Sequence, residues 1–191
     1  MGNLCGVSGF DNHGLAFRRS NSERSGRIAA SEFRMQTTLS VLSAFLIAAQ
    51  APLAKPAFKL SADEQAVLDL TNAERAKEKL APLKANELLT KAAREHSANM
   101  AKRQKMDHVL DDKKPDDRLK AVGYQFTVMA ENIATGQHMP AEAIATWMSS
   151  TAGHKENMLN KDYTEIGIGI AVDKDGQRYW TQVFAAPATP K

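Results

Sequence analysis

Residues 166–172 read Ile-Gly-Ile-Gly-Ile-Ala-Val, and this stretch restricts the fold more sharply than any other. Large branched side chains recur at every second position, Ile166, Ile168, Ile170 and Val172, which is the period of a β-strand and not of a helix. Between them stand Gly167, Gly169 and Ala171, which carry almost no side chain. Such a strand has one bulky face and one bare face, and the bare face admits a helix or a neighbouring backbone at short range. Asp173-Lys174-Asp175-Gly176 supplies turn residues, so residues 179–184 are expected to return as an antiparallel partner and close a hairpin.

Upstream the periodicity is helical. Ser61-Ala62-Asp63-Glu64 has the spacing of a capping box, in which the Ser hydroxyl and the Glu carboxylate each satisfy a free backbone amide. Val67, Leu68, Thr71 and Arg75 follow at helical spacing, and Pro82 bars continuation. Asn86 is placed to cap a second helix, expected to end near Lys105. Its narrow apolar face is Leu89, Ala92, Ala93, His96 and Met100, with Lys91, Arg94, Glu95 and Lys102 outward. Residues 111–117 read as a charged surface loop in which Pro115 opens a short helix through Arg118, Leu119 and Val122, stopped by Gly123. Pro140 fits the first turn of a further helix that turns Ile144, Trp147 and Met148 inward. Helices lead and strands follow, which is the pattern of an α+β fold. No internal repeat is present.

A chain of 191 residues that is 43% hydrophobic can build one core without metal or disulfide staples. Charge is nearly even, with 25 Lys and Arg against 22 Asp and Glu. That balance argues against a nucleic-acid partner, which requires a clustered basic excess to neutralise phosphates. The single cysteine, Cys5, excludes an intramolecular disulfide.

Residues 39–49 form an apolar run of the length of a signal-peptide core, too short for a membrane span. Residues 35–54 are therefore read as an export signal, and no transmembrane span is expected in the mature chain. Residues 1–34, rich in Ser, Arg and Gly, read as a disordered tail or as an extension ahead of a start at Met35. The opening Met-Gly-Asn-Leu-Cys-Gly lacks the Ser or Thr that myristoylation wants at position 6. The folded domain is expected over residues 60–186.

Three short strings complete the pattern: Glu131-Asn132-Ile133-Ala134, Gly153-His154-Lys155-Glu156-Asn157-Met158-Leu159, and Tyr179-Trp180-Thr181-Gln182-Val183-Phe184. Together with His108 they resemble the marks of the CAP superfamily, the cysteine-rich secretory, antigen 5 and pathogenesis-related 1 proteins, and most closely its bacterial SCP-like branch. The resemblance implies a three-layer α-β-α sandwich with a central antiparallel sheet. It also implies a secreted, extracellular or envelope-exposed monomer.

It further implies a cleft that brings together His108, Glu131 and His154, with Ser150 and Asn157 beside them. The family's histidines hold a divalent metal such as zinc, which assigns His108 and His154 as ligands here, with a carboxylate nearby. These residues stand 23 apart in each interval, so no local spacing rule joins them. Taken in isolation, His108 reads as a helix-terminal histidine facing the last carbonyls, and His154 as a polar residue closing the turn after Gly153. Many eukaryotic relatives carry a second glutamate three residues after the helix tryptophan, and here that place holds Ser150. Glu142 lies on the same helix, where its position in the first turn is explained by the helix dipole.

Asn132 and Asn157 are expected to tie loop backbone near the cleft. Trp147, Tyr179 and Trp180 are expected to be core and cleft wall. His96 is expected to be a satisfied interior histidine with the option of approaching the cleft, and His138 to be exposed. The preferred reading is a binding module for a small molecule, a lipid-like ligand or an envelope partner. The alternative is a metal-assisted or Ser/His/Glu hydrolase drawn from Ser149, Ser150 or Thr151 with His154 and Glu131. Against it, no Gly-x-Ser-x-Gly elbow is present.

Overall fold

The computed structural model describes residues 57–188. Cys5, residues 35–54 read as an export signal and the residues before them lie outside the described residues. In chain order the elements are α1 (Ala62–Lys77), β1 (Lys84–Ala85), α2 (Glu87–Arg103), α3 (Pro115–Ala121), β2 (Phe126–Thr135), α4 (Pro140–Met148), α5 (His154–Met158), β3 (Glu165–Val172) and β4 (Arg178–Pro187). The helix starts are those that the capping residues announce. Ser61 Oγ accepts from the Glu64 amide while Glu64 Oε2 accepts from the Ser61 amide, and Asn86 Oδ1 accepts from the amides of Leu88 and Leu89.

The sheet runs in the order β1-β3-β4-β2. β4 pairs antiparallel with both β3 and β2, as expected of the long strands. The two-residue β1 adds a parallel edge to β3, so the sheet as a whole is mixed. β2 is the strand that alternation does not announce, because Glu131 and Asn132 interrupt its apolar sequence in its most buried part. It is an edge strand, paired on one side only among the described residues.

Side chains alternate across the sheet and build a core on each face. On one face Ile166, Ile168, Trp180 and Phe184 pack against Val67 and Leu68 of α1, Ile144 and Trp147 of α4, and Met158 of α5. On the other, Val183 and Ala185 meet Leu89, Ala92 and Ala93 of α2 and Leu119 of α3, and Tyr179 and Ile133 meet Met100 and Ala101. The result is three layers, α1 with α4 and α5, the sheet, then α2 with α3.

The bare face of β3 is where α2 lies. A Cβ at Gly167 would stand 2.1 Å from the carbonyl carbon of Leu89, and one at Gly169 would stand 2.2 Å from that of Ala93. Both are backbone atoms of the helix, so the two glycines set the distance between layers. Ser97 then bonds across the contact, to the Gly169 carbonyl at 2.9 Å and to Thr181 Oγ1 at 2.8 Å.

Candidate functional site

Glu131 and Asn132 are successive residues of β2, so their side chains leave the edge strand on opposite faces. Each organises its own half of a site.

On the α2 face, the Glu131 side chain is only 2% exposed and both its oxygens are engaged. Oε2 accepts from Arg118 Nη2 at 2.6 Å, and Oε1 lies 2.9 Å from His108 Nδ1. Arg118 comes from α3, and its Nη1 also donates to the carbonyls of His108 and Lys113 at 3.0 Å each. One guanidinium thus fixes both the carboxylate and the loop that carries His108. His108 stands in the loop between α2 and α3, beyond the helix end at Arg103, and its partner is Glu131, not the last helical carbonyls. Its ring is 46% exposed, the only part of this triad open to solvent.

His96 lies beneath them. It is 1% exposed, as expected of an interior histidine, but it is poorly satisfied: neither ring nitrogen makes a hydrogen bond of ordinary geometry, and the Asp107 backbone gives it only a weak contact that favours the charged ring. Its Nε2 is 3.7 Å from Glu131 Oε1, too far for a hydrogen bond. Burial pushes its pKa down to about 4 against the opposing pull of the Glu131 charge, with Arg118 and His108 adding to the depression.

On the other face, Asn132 is fully buried. Its Nδ2 donates to the His154 carbonyl at 3.0 Å and to Gln182 Oε1 at 3.2 Å, and its Oδ1 accepts from Asn157 Nδ2 at 2.9 Å. Gln182 continues inward to Thr71 Oγ1 at 2.8 Å. Asn132 does tie backbone beside the site, from a strand and not from a loop, whereas Asn157 bonds the Asn132 side chain. At the far end of α5, Arg75 reaches across from α1 and donates to the carbonyls of Met158 and Asn160 at 2.9 and 2.8 Å.

His154 opens α5 with Nδ1 2.7 Å from Ser150 Oγ, which also accepts from the Ala152 amide at 3.0 Å. Ser150, three residues after Trp147, thus touches the imidazole. Burial, then repulsion from His108, holds the His154 pKa below its ordinary value. Among the described residues Glu131 makes no hydrogen bond or ion pair with His154. A Ser-His-Glu line is therefore not assembled.

The donor set suits a cation in one respect. Both His108 and His154 commit Nδ1 to an oxygen partner, which leaves Nε2 of each ring without a hydrogen bond among the described residues. That is the arrangement by which an outer partner orients a metal-binding imidazole. Among the described residues no three His, Cys, Asp or Glu side chains stand together as a ready ligand set. A metal here would take two imidazoles and complete its shell with water or ligand.

The other candidates fall as expected. Glu142 accepts from the amides of His138 and Met139 at the start of α4, and His138 is exposed. Trp147 and Trp180 are 1% exposed, with their indole N–H groups bonded to the carbonyls of Ile133 and Gln137. Sequence reading missed Arg118 as a site residue. Its one signal is a charged residue set among Leu119 and Val122 on a short, otherwise apolar helix face.

Comparison with known proteins identifies the domain. YkwD of Bacillus subtilis (strain 168), an uncharacterized protein, is 40% identical over 126 residues, which is 65% of this chain and 48% of that protein. The chain thus spans about half the length of that relative. The structure of an extracellular protein containing a SCP domain from Bacillus anthracis str. Ames is 27% identical with a TM-score of 0.58, covering 68% of this chain and 45% of the other. An outer surface protein from Borrelia burgdorferi superposes with a TM-score of 0.63 over 69% of this chain and 97% of its own, a likeness of fold alone at 21% identity. The model of the family "CAP: Cysteine-rich secretory protein family" matches residues 68–184, a span that includes His108, Glu131 and His154, and the chain belongs to this family.

Proposed function

We propose that this CAP domain acts outside the cytoplasm as a binding module that takes a divalent cation, zinc being the natural choice, on Nε2 of His108 and Nε2 of His154. The observation that carries the reading is the anchoring of both rings through Nδ1, to Glu131 at 2.9 Å and to Ser150 at 2.7 Å. Neutral imidazoles are the form that binds metal, and the depressed pKa of His154 favours that form. Open positions on the cation would receive a small or lipid-like ligand or a group from an envelope partner. The extracellular setting is supported by the apolar run at residues 39–49 and by the 27% identical SCP-domain protein from Bacillus anthracis str. Ames, which is named as extracellular. No described helix is long and apolar enough to cross a membrane.

The test is metal analysis of protein isolated without chelator, beside a His108→Ala/His154→Ala double variant. Bound metal in the first and none in the second is expected; equal content in both removes the reading.

A second reading, hydrolysis, rests on the Ser150–His154 contact, since a serine hydroxyl against an imidazole is the start of an activated nucleophile. Peptide or ester cleavage lost in both Ser150→Ala and His154→Ala, with folding kept, would favour it over binding.

A further inference from the structure

Glu131 is a buried carboxylate whose outer partner is exposed. Its Oε1 depends on His108, a loop residue with a ring 46% open to solvent, while the rest of the carboxylate is enclosed. If His108 turned outward, one oxygen of a buried charge would lose its donor, which is among the costlier events in a protein interior. The same oxygen already faces a second imidazole. His96 Nε2 stands 3.7 Å from Oε1, and neither His96 nitrogen makes a hydrogen bond of ordinary geometry although the residue is 1% exposed, with the Asp107 backbone as a weak further contact. A buried imidazole so poorly paired on a helix needs an account of its own.

Moving from 3.7 Å to a hydrogen bond requires a shift of less than about 1 Å. The ring is not close-packed on every side. His96 borders a cavity of about 210 Å³ between α2, α3 and the loop before α3, whose wall also includes Arg118 and Leu110. A side chain against open space can adjust without displacing a packed neighbour.

We infer that His96 is the reserve donor of Glu131: when His108 leaves Oε1, the His96 ring closes on the same oxygen and keeps the carboxylate paired. His96 is then a positioning residue that acts through Glu131. It lowers the cost of releasing His108, so the exposed imidazole can swing away from Glu131 and return while Arg118 and His96 hold the carboxylate in place. The inference rests on the geometry of these side chains and not on the metal reading.

The experiment uses no metal. Long-range ¹H–¹⁵N correlation spectra of the histidine side chains report each ring's tautomer and hydrogen bonding, and would be recorded on the full chain and on His108→Ala. In the variant the His96 Nε2–H signal is expected to move downfield and to exchange more slowly with solvent. Unchanged His96 signals would overturn the inference. A double-mutant cycle with His96→Phe gives a second readout: the fall in Tm caused by His108→Ala should be at least twice as large when His96 is Phe, and additive effects would count against the reserve role. Failure of His96→Phe to fold leaves the spectroscopic comparison decisive. Either result leaves the metal analysis of the double-histidine variant unaffected, so the two readings stand or fall separately.

Discussion

Arg118 and Glu131 meet at 2.6 Å with side chains 9% and 2% exposed, and the same guanidinium holds the carbonyl of His108. Removing one member of such a pair strands the other's charge in the interior. Arg118→Ala is expected to cost about 3–5 kcal/mol. The double variant Arg118→Met/Glu131→Gln, which removes both charges, should cost less than Arg118→Ala alone. Urea denaturation of the three proteins checks the order.

Ser150 orients His154, and an outer partner of this kind governs how firmly a ring can hold a cation. Ser150→Ala is expected to weaken zinc binding about 10–100-fold. Ser150→Glu, which supplies the carboxylate of eukaryotic relatives, should tighten it, since an anion beside the imidazole favours a bound cation. Isothermal titration with zinc decides both, and no change in either variant would remove His154 from the proposed zinc site.

The pH dependence of stability follows from His96. Its pKa in the folded protein is about 4 against an ordinary 6.5, because burial disfavours the imidazolium. The contribution is present in full above pH 6.5. As pH falls from about 6.5 to about 4 the unfolded chain takes up a proton that the folded chain refuses, and stability is lost by at most roughly 3 kcal/mol. Thermal unfolding followed across this window should show Tm falling with acidity, and His96→Phe should flatten the slope. An equal slope in both proteins would mean that other groups dominate.

Gly169→Ala tests the layer spacing. The new methyl would meet the Ala93 carbonyl carbon at 2.2 Å, so the helix must move off the sheet. Overpacking of this kind is expected to cost about 3 kcal/mol or more. Ala171, next on the same face, already carries a methyl and serves as the internal comparison. A shift of the urea midpoint with an unchanged slope is the expected signature.

These effects differ in how far they could be read from the chain. The caps at Ser61 and Asn86 and the alternation of Ile166 with Gly167 were legible because each is a local preference that the fold does not override. β2 was not, since its buried stretch includes Glu131 and Asn132, whose burial makes sense only once Arg118, His108 and Asn157 surround them. His108, Glu131 and His154 were named through family resemblance. Their separation along the chain hides any neighbourhood, and the pairing of Glu131 with His108 in preference to His154 is a tertiary fact. His96 was rightly placed inside by helical period, yet period carries no information about hydrogen-bond partners. Arg75 sits on the helical stripe of Val67, Leu68 and Thr71, and that position foretold its burial without naming the carbonyls it holds.

Arg75 has a practical consequence for anyone dissecting the protein. α5 is five residues long, too short to persist alone, and its last carbonyls are gripped from α1. The seat of His154 is thus a joint product of the first helix and the fifth. A fragment trimmed to the family match at residues 68–184 would begin inside α1, without Ser61 or Glu64 to start the helix and without the ion pair from Glu64 to Arg94. It would retain every motif residue while its first helix frayed towards Arg75. The working boundary for expression is the cap at Ser61, seven residues before the first recognisable one.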